Sequence, residues 1–189
     1  MREGHFSALY GMTLLRFGWA ACFSCILLSA QAADPVKEPN YVEGHRLIYK
    51  LLSQEAQLSK ILIVKDARPK IAEKMKVISD FAEKNYDEMT EIARLSPPVR
   101  LNKPTLPDIE TRSRLATQSV TTREILAANG PEFETLIVHN QLTALRYLST
   151  LAEAVADQEK SRPRRTFFLN LQKEAESLRT GLLKYLTVK

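Results

Sequence analysis

The stretch Pro69–Leu95, PKIAEKMKVISDFAEKNYDEMTEIARL, decides the fold. Ile71, Met75, Ile78, Ala82, Met89 and Ile92 recur every three or four residues or at multiples of that spacing. Glu73, Lys76, Asp80, Asp87, Glu91 and Arg94 recur at similar spacing between them. At about 100° per residue the two sets fall on nearly opposite sides of a helix, one to be buried and one to be solvated. Asp66 can cap this helix, with Pro69 in its first turn. An amphipathic helix of this length needs other helices to lie on, and the flanking sequence supplies them.

Upstream, Tyr41, Ile48, Leu51, Leu52, Leu58 and Leu62 share one helical face and predict a helix over about Tyr41–Lys65. Downstream, Ser96–Pro107 (SPPVRLNKPTLP) places four prolines in twelve residues, which excludes helix and predicts a crossover between bundle ends. A third helix is expected over about Asp108–Ala128, with a sparse stripe of Ile109, Leu115, Val120 and Ile125 among many Thr and Ser. Asn129-Gly130 closes it with a residue able to take positive φ. The fourth helix, from Pro131 to about Asp157, carries Phe133, Ile137, Ala144, Leu148, Leu151 and Val155. The fifth, from Ser161 to about Leu186, carries Phe167, Leu171, Ala175, Leu178, Leu182 and Tyr185. The expected fold is all-α, an up-and-down helical bundle of four to five helices occupying residues 40–189 as a single domain.

The N-terminus reads differently. Phe17–Ala30 is an uncharged run of 14 residues after Arg16, and Ala30-Gln31-Ala32 is a small-x-small cleavage site. This is the pattern of a secretory signal peptide over residues 1–32, cleaved near Ala32. The run is shorter than a bilayer span, so no transmembrane anchor is expected in the mature chain. Met12 is an alternative start that gives a more compact signal. Trp19-Ala20-Ala21-Cys22 is an alternative reading as a lipobox, which would lipidate Cys22. Residues 33–39 read as a disordered polar leader. The expected location is the periplasm, or secretion.

Cleavage removes both cysteines, Cys22 and Cys25, and the only tryptophan, Trp19. The mature chain then has no disulfide, thiolate ligand or cysteine nucleophile. Arg2, Arg16 and Glu3 leave with the signal, so 25 Lys and Arg remain against 21 Asp and Glu, a formal charge of +4. That is ordinary for a soluble domain, and with the charges not clustered on one face it predicts no nucleic-acid partner. Of the six glycines only Gly44, Gly130 and Gly181 lie beyond the signal, so glycine-rich phosphate loops are absent and no cofactor is expected.

In a bundle, chemistry is built from polar side chains that point inward. Helical projection puts Glu55 near the centre of the first stripe, Asn85 between Ile78 and Ile92, Asn140 between Phe133 and Ala144, and Glu174 at the edge of the fifth stripe. These four are the candidate core polar residues. A buried carboxylate must be paired, protonated or bound to a cation. Glu55 is therefore read as a carboxylate satisfied by neighbours, with a metal-ligand or proton-handling role as the competing reading. His45 flanks the first stripe and is the weak second metal candidate; His139 projects opposite the apolar stripe and is expected in solvent. The acidic series Glu73, Asp80, Asp87, Glu91 reads as a solvated face. Met75 and Met89 read as core fillers. Arg162, Arg164 and Arg165 form a small basic patch that could meet anionic lipid, polysaccharide or a partner.

Ile71-Ala72 with Met75, and Leu126, Gly130, Phe133-Glu134 and Gln141, resemble the motifs of an exported bacterial ferritin-like family of unknown function, often labelled predicted outer membrane protein. The resemblance spans about residues 41–187. It implies a ferritin-like bundle and an exported address. The chain departs from the family where ligands would be. Ile78-Ser79 stands in place of Asp-His, Leu145 stands in place of a histidine, and no Glu-x-x-His pair of the di-iron type occurs. The expectation is thus a non-enzymatic helical bundle of the bacterial envelope that acts through interaction with an unknown protein or envelope component. The alternative is a ferritin-like metal-binding or redox protein using inward carboxylates.

Overall fold

The computed structural model describes residues 40–187, with side chains from Tyr41 to Lys184. The expected signal peptide and leader, residues 1–39, lie outside the described residues. The described chain consists of helices joined by turns and one long crossover, residues 94–107, with no strand among the described residues. Its helices are α1 (Asn40–Glu55), the one-turn α2 (Ile61–Val64), α3 (Pro69–Ala93), α4 (Asp108–Ala127), α5 (Gly130–Gln158) and α6 (Arg162–Thr187). No helix of the described residues is long and apolar enough to cross a membrane.

The core lies where the stripes of α1, α3, α5 and α6 meet. Ile48, Leu52, Met75, Met89, Phe133, Leu148, Phe168 and Leu171 are buried there. Helix α1 runs antiparallel to α5, since Gly44 sits against Val155 while Glu55 reaches Gln141. Tyr49 of α1 and Tyr86 of α3 stack with ring centroids 4.4 Å apart, and Tyr49 donates its hydroxyl proton to Tyr86 Oη at 2.6 Å.

One expected helix is two. The first was expected to run to Lys65, but α1 stops at Glu55 and the chain turns through a 3₁₀ segment, Leu58–Lys60, before α2. No glycine or proline marks the break. A tertiary contact compensates it: buried Ser79 of α3 donates Oγ–H to Ala56 O at 2.9 Å, and the Ser59 N–H reaches Ser79 Oγ at 3.4 Å. The backbone groups freed by the turn therefore find a partner. Past the break, Ile63 and Val64 stand in solvent.

The start of α3 is also capped otherwise than expected. Asp66 is exposed and makes no cap; Glu134 of α5 does. It accepts the Arg68 N–H at 2.7 Å and the Arg68 Nε–H at 2.6 Å, so one carboxylate serves the helix end and its first cation. At the other junction α4 is closed by extended Ala128 and Asn129 and not, as expected, by Gly130, whose φ of +53° falls at the first residue of α5. Lys65 Nζ donates to Ala128 O at 2.9 Å, satisfying a carbonyl at the α4 C-terminus.

Candidate functional site

Two places in the bundle gather polar side chains. The first is a buried ionic knot that pins the proline crossover. Arg164, in the first turn of α6, is 1% exposed. Its Nε donates to Glu159 Oε2 at 3.1 Å, and its Nη1 donates to Leu95 O at 3.1 Å and Pro97 O at 2.8 Å. Glu159 also accepts the Ser161 N–H at 2.7 Å. His45 Nε2 lies 3.0 Å from Glu159 Oε2, but off the hydrogen-bonding direction, while its Nδ1–H donates to Tyr41 O at 2.8 Å. Arg46 Nε donates to Arg100 O at 3.1 Å, and Glu43 accepts the Thr105 N–H at 2.5 Å. Carbonyls at 95, 97 and 100 and an amide at 105 are thus held from two helices, so a segment without helix is still fixed.

The knot's protonation follows from its geometry. Burial pushes the His45 imidazole down, against the pull of Tyr41 O and Glu159, and the net direction is down. Burial pushes the Glu159 carboxyl up, but the Ser161 N–H, Arg164 and His45 together draw it below the usual carboxylate range. Arg164 supplies the charge that Glu159 needs, so the imidazole stays neutral with its proton on Nδ1.

The second place is a cleft of about 480 Å³ between α1, α4, α5 and the crossover. It exists because α4 turns an unusual face to the bundle. Thr111, Arg114, Thr117, Gln118 and Thr121 line the cleft from α4, and Ile125 is the one buried residue of that helix. Hydroxyls and an amide cannot close on an apolar surface as leucines would, so a gap remains. Leu47 and Leu51 of α1, Leu106 of the crossover and Ala144 of α5 line the opposite side. Arg114 Nη1 donates to Tyr147 Oη at 3.2 Å, and its guanidinium stands 5.7 Å from that ring's centroid. Glu110 accepts from Arg114 Nε at 2.6 Å.

The four core polar candidates do not meet. Asn85 is buried and donates Nδ2–H to Phe81 O of its own helix at 2.8 Å. Asn140 lines the cleft, half-buried. Glu174 is exposed, with Lys84 Nζ at 3.8 Å. Glu55 is not at the centre of its stripe; His45 and Leu52 are, and Glu55 stands half-buried where core meets cleft. Burial raises its carboxyl above the usual range, opposed by a hydrogen bond from Gln141. Among the described residues no group of three or more His, Asp, Glu or Cys side chains could hold a metal ion.

The basic patch is also redrawn. Arg162 and Arg165 are exposed, but Arg164 is interior. Its position is one heptad before Leu171, on the buried stripe of α6, and that spacing was the available signal. His45 does not skirt the core but is completely buried, whereas His139 is exposed. Helical projection picks out neither Glu159 nor Gln141, the latter being named only among the residues that carry the family resemblance. Gln141 is 1% exposed and lies one heptad from both buried Glu134 and buried Leu148. Glu159 lies just past the end of α5, where helical projection says nothing.

The chain matches no family model, no curated protein and no solved structure.

Proposed function

We propose that this is an exported, non-enzymatic helical-bundle protein of the bacterial envelope that acts by binding, and that the cleft beside α4 is where it binds. The cleft carries the reading: it is a concave site of ligand-sized volume whose lining interleaves apolar and hydrogen-bonding side chains. The exported part rests on the hydrophobic run and Ala30-Gln31-Ala32, and on the family resemblance, which extends to a ferritin-like scaffold. The metal or redox reading draws little support, because Glu55 and His45 are engaged in different places and Glu174 is at the surface.

A neutral dye, N-phenyl-1-naphthylamine, tests the cleft. One dye per chain is expected, with binding lost when Thr117→Phe fills the gap while far-UV circular dichroism and Tm are retained. Unsaturable binding, or binding that ignores the filled cleft, would overturn the reading. Mass spectrometry of the protein from a periplasmic extract tests export. A chain of residues 33–189 is expected, and recovery of the full-length chain in the cytoplasm would refute that part.

A further inference from the structure

We propose that the cleft takes a single-chain anionic amphiphile, its charged head at the Lys103 and Lys50 end and its apolar chain running between α4 and α1 toward Glu55. The inference rests on the binding reading above and adds the ligand's chemistry and direction.

The cleft has two unlike ends. Thr105 is tied to Glu43, one turn before Leu47, so the crossover brings Lys103 to the N-terminal half of α1. Arg114 meets Tyr147, which the antiparallel pairing of α1 and α5 puts level with about Lys50. Glu55, the one carboxyl among the lining residues, lies at the opposite end beside Gln141, two turns along α5. Glu110 answers much of the Arg114 charge, so Lys50 and Lys103 provide the excess. An anion is attracted to one end and meets a carboxyl at the other, which sets a direction.

The walls between the ends select a chain. Leu47, Leu51, Leu106 and Ile125 offer apolar surface, to which α4 adds the methyl groups of its threonines. Arg114 and Ile125 are separated by about 16 Å at 1.5 Å per residue, the scale of a medium-length alkyl chain rather than a compact metabolite. Each methylene removed from water contributes about 0.8 kcal/mol, so the chain carries affinity and the cations carry choice and orientation.

The test uses residues 33–189 with dodecanoate, dodecanol and dodecyltrimethylammonium. Dodecanoate is expected to bind about 10-fold more tightly than dodecanol at low salt, with the cation weakest and the difference shrinking at high salt. Lys50→Glu with Lys103→Glu should remove that difference and leave dodecanol unchanged. The mature chain lacks tryptophan, so Ile109→Trp and Leu126→Trp, made separately at exposed positions outside the lining and toward opposite ends of α4, report position. Dodecanoate brominated at its terminal carbon should quench the tryptophan at 126 more than the one at 109. Equal affinity for acid and alcohol, or the reverse quenching order, would overturn the proposal while neutral dye in the cleft still upheld the binding reading. If neither dye nor amphiphile binds, both fall.

Discussion

Replacing Arg164 by methionine keeps an unbranched chain of similar reach and removes the one full positive charge beside Glu159. The Glu159 side chain has no exposed surface, and Leu95 O and Pro97 O lose their donor at the same time. Breaking a buried pair by removing one partner costs about 3–5 kcal/mol. For a domain of this size that is a fall in Tm of about 6–20 °C. His45, 3.0 Å from Glu159, is the neighbour able to supply the missing charge. In the parent its pKa lies below the ordinary value, so the unfolded chain binds the extra proton and stability falls as pH drops below about 6.5. In the variant the same imidazole faces an unanswered carboxylate and its pKa rises. Protonated His45 then contributes stability that is present at low pH and lost as pH rises through its folded pKa. The deficit of the variant should therefore narrow between pH 8 and pH 5.5. In the variant Glu159 loses the Arg164 contributions that draw its pKa down, so burial pushes its carboxyl up and proton uptake at the acid end narrows the deficit in the same direction. Urea unfolding at the two pH values gives the energies. Proton NMR of the His45 ring gives the titration. A cost under about 1 kcal/mol at pH 8, the value of a surface pair, would refute the account. So would a His45 titration unmoved by the substitution.

Gly44→Ala would place a methyl group against Val155, so α1 must shift off α5. A loss of about 1–3 kcal/mol is expected from the urea midpoint, and Val155→Ala should recover part of it. Glu55→Gln should gain stability at pH 7 and gain none at pH 4. The raised carboxyl is favourable below its unfolded pKa, and that contribution is lost as pH rises through the folded value. Equal effects at the two pH values would show that the Glu55 carboxyl is not raised.

The helix whose apolar and charged residues separate most cleanly was the easiest to read. In α3 the stripe Ile71, Met75, Ile78, Ala82, Met89 is the buried face, because a helix with charge along the other side has one way to lie. In α5 the expected stripe is rotated by about 60° from the buried one. Burial centres on Gln141, Leu145 and Leu148 rather than on Ala144 and Leu151, and that turns Asn140 from core to cleft. A helix rich in Ala and Leu on several sides offers more than one face, and its neighbours choose. The break after Glu55 was not legible, since its support is Ser79 from another helix. The ionic knot was hidden for the same reason: its charges sit at residues 45, 159 and 164 and meet only through the fold. The cleft did leave a trace, in the threonines of α4 and its sparse apolar stripe, although these mark weak packing without saying what it leaves open.

Helix α4 is secured at both ends, by the pinned crossover before it and by Lys65 on Ala128 O after it, while Ile125 is its only buried residue. Its middle turns contribute little to global stability, so they can part from α1 and α5 at a small fraction of the free energy that unfolds the core. Hydrogen exchange along Thr111–Thr122 should accordingly run through local opening, well ahead of α3, α5 and α6. A ligand could then enter without a permanent doorway, and its residence time would be set by how often this one strut bows outward.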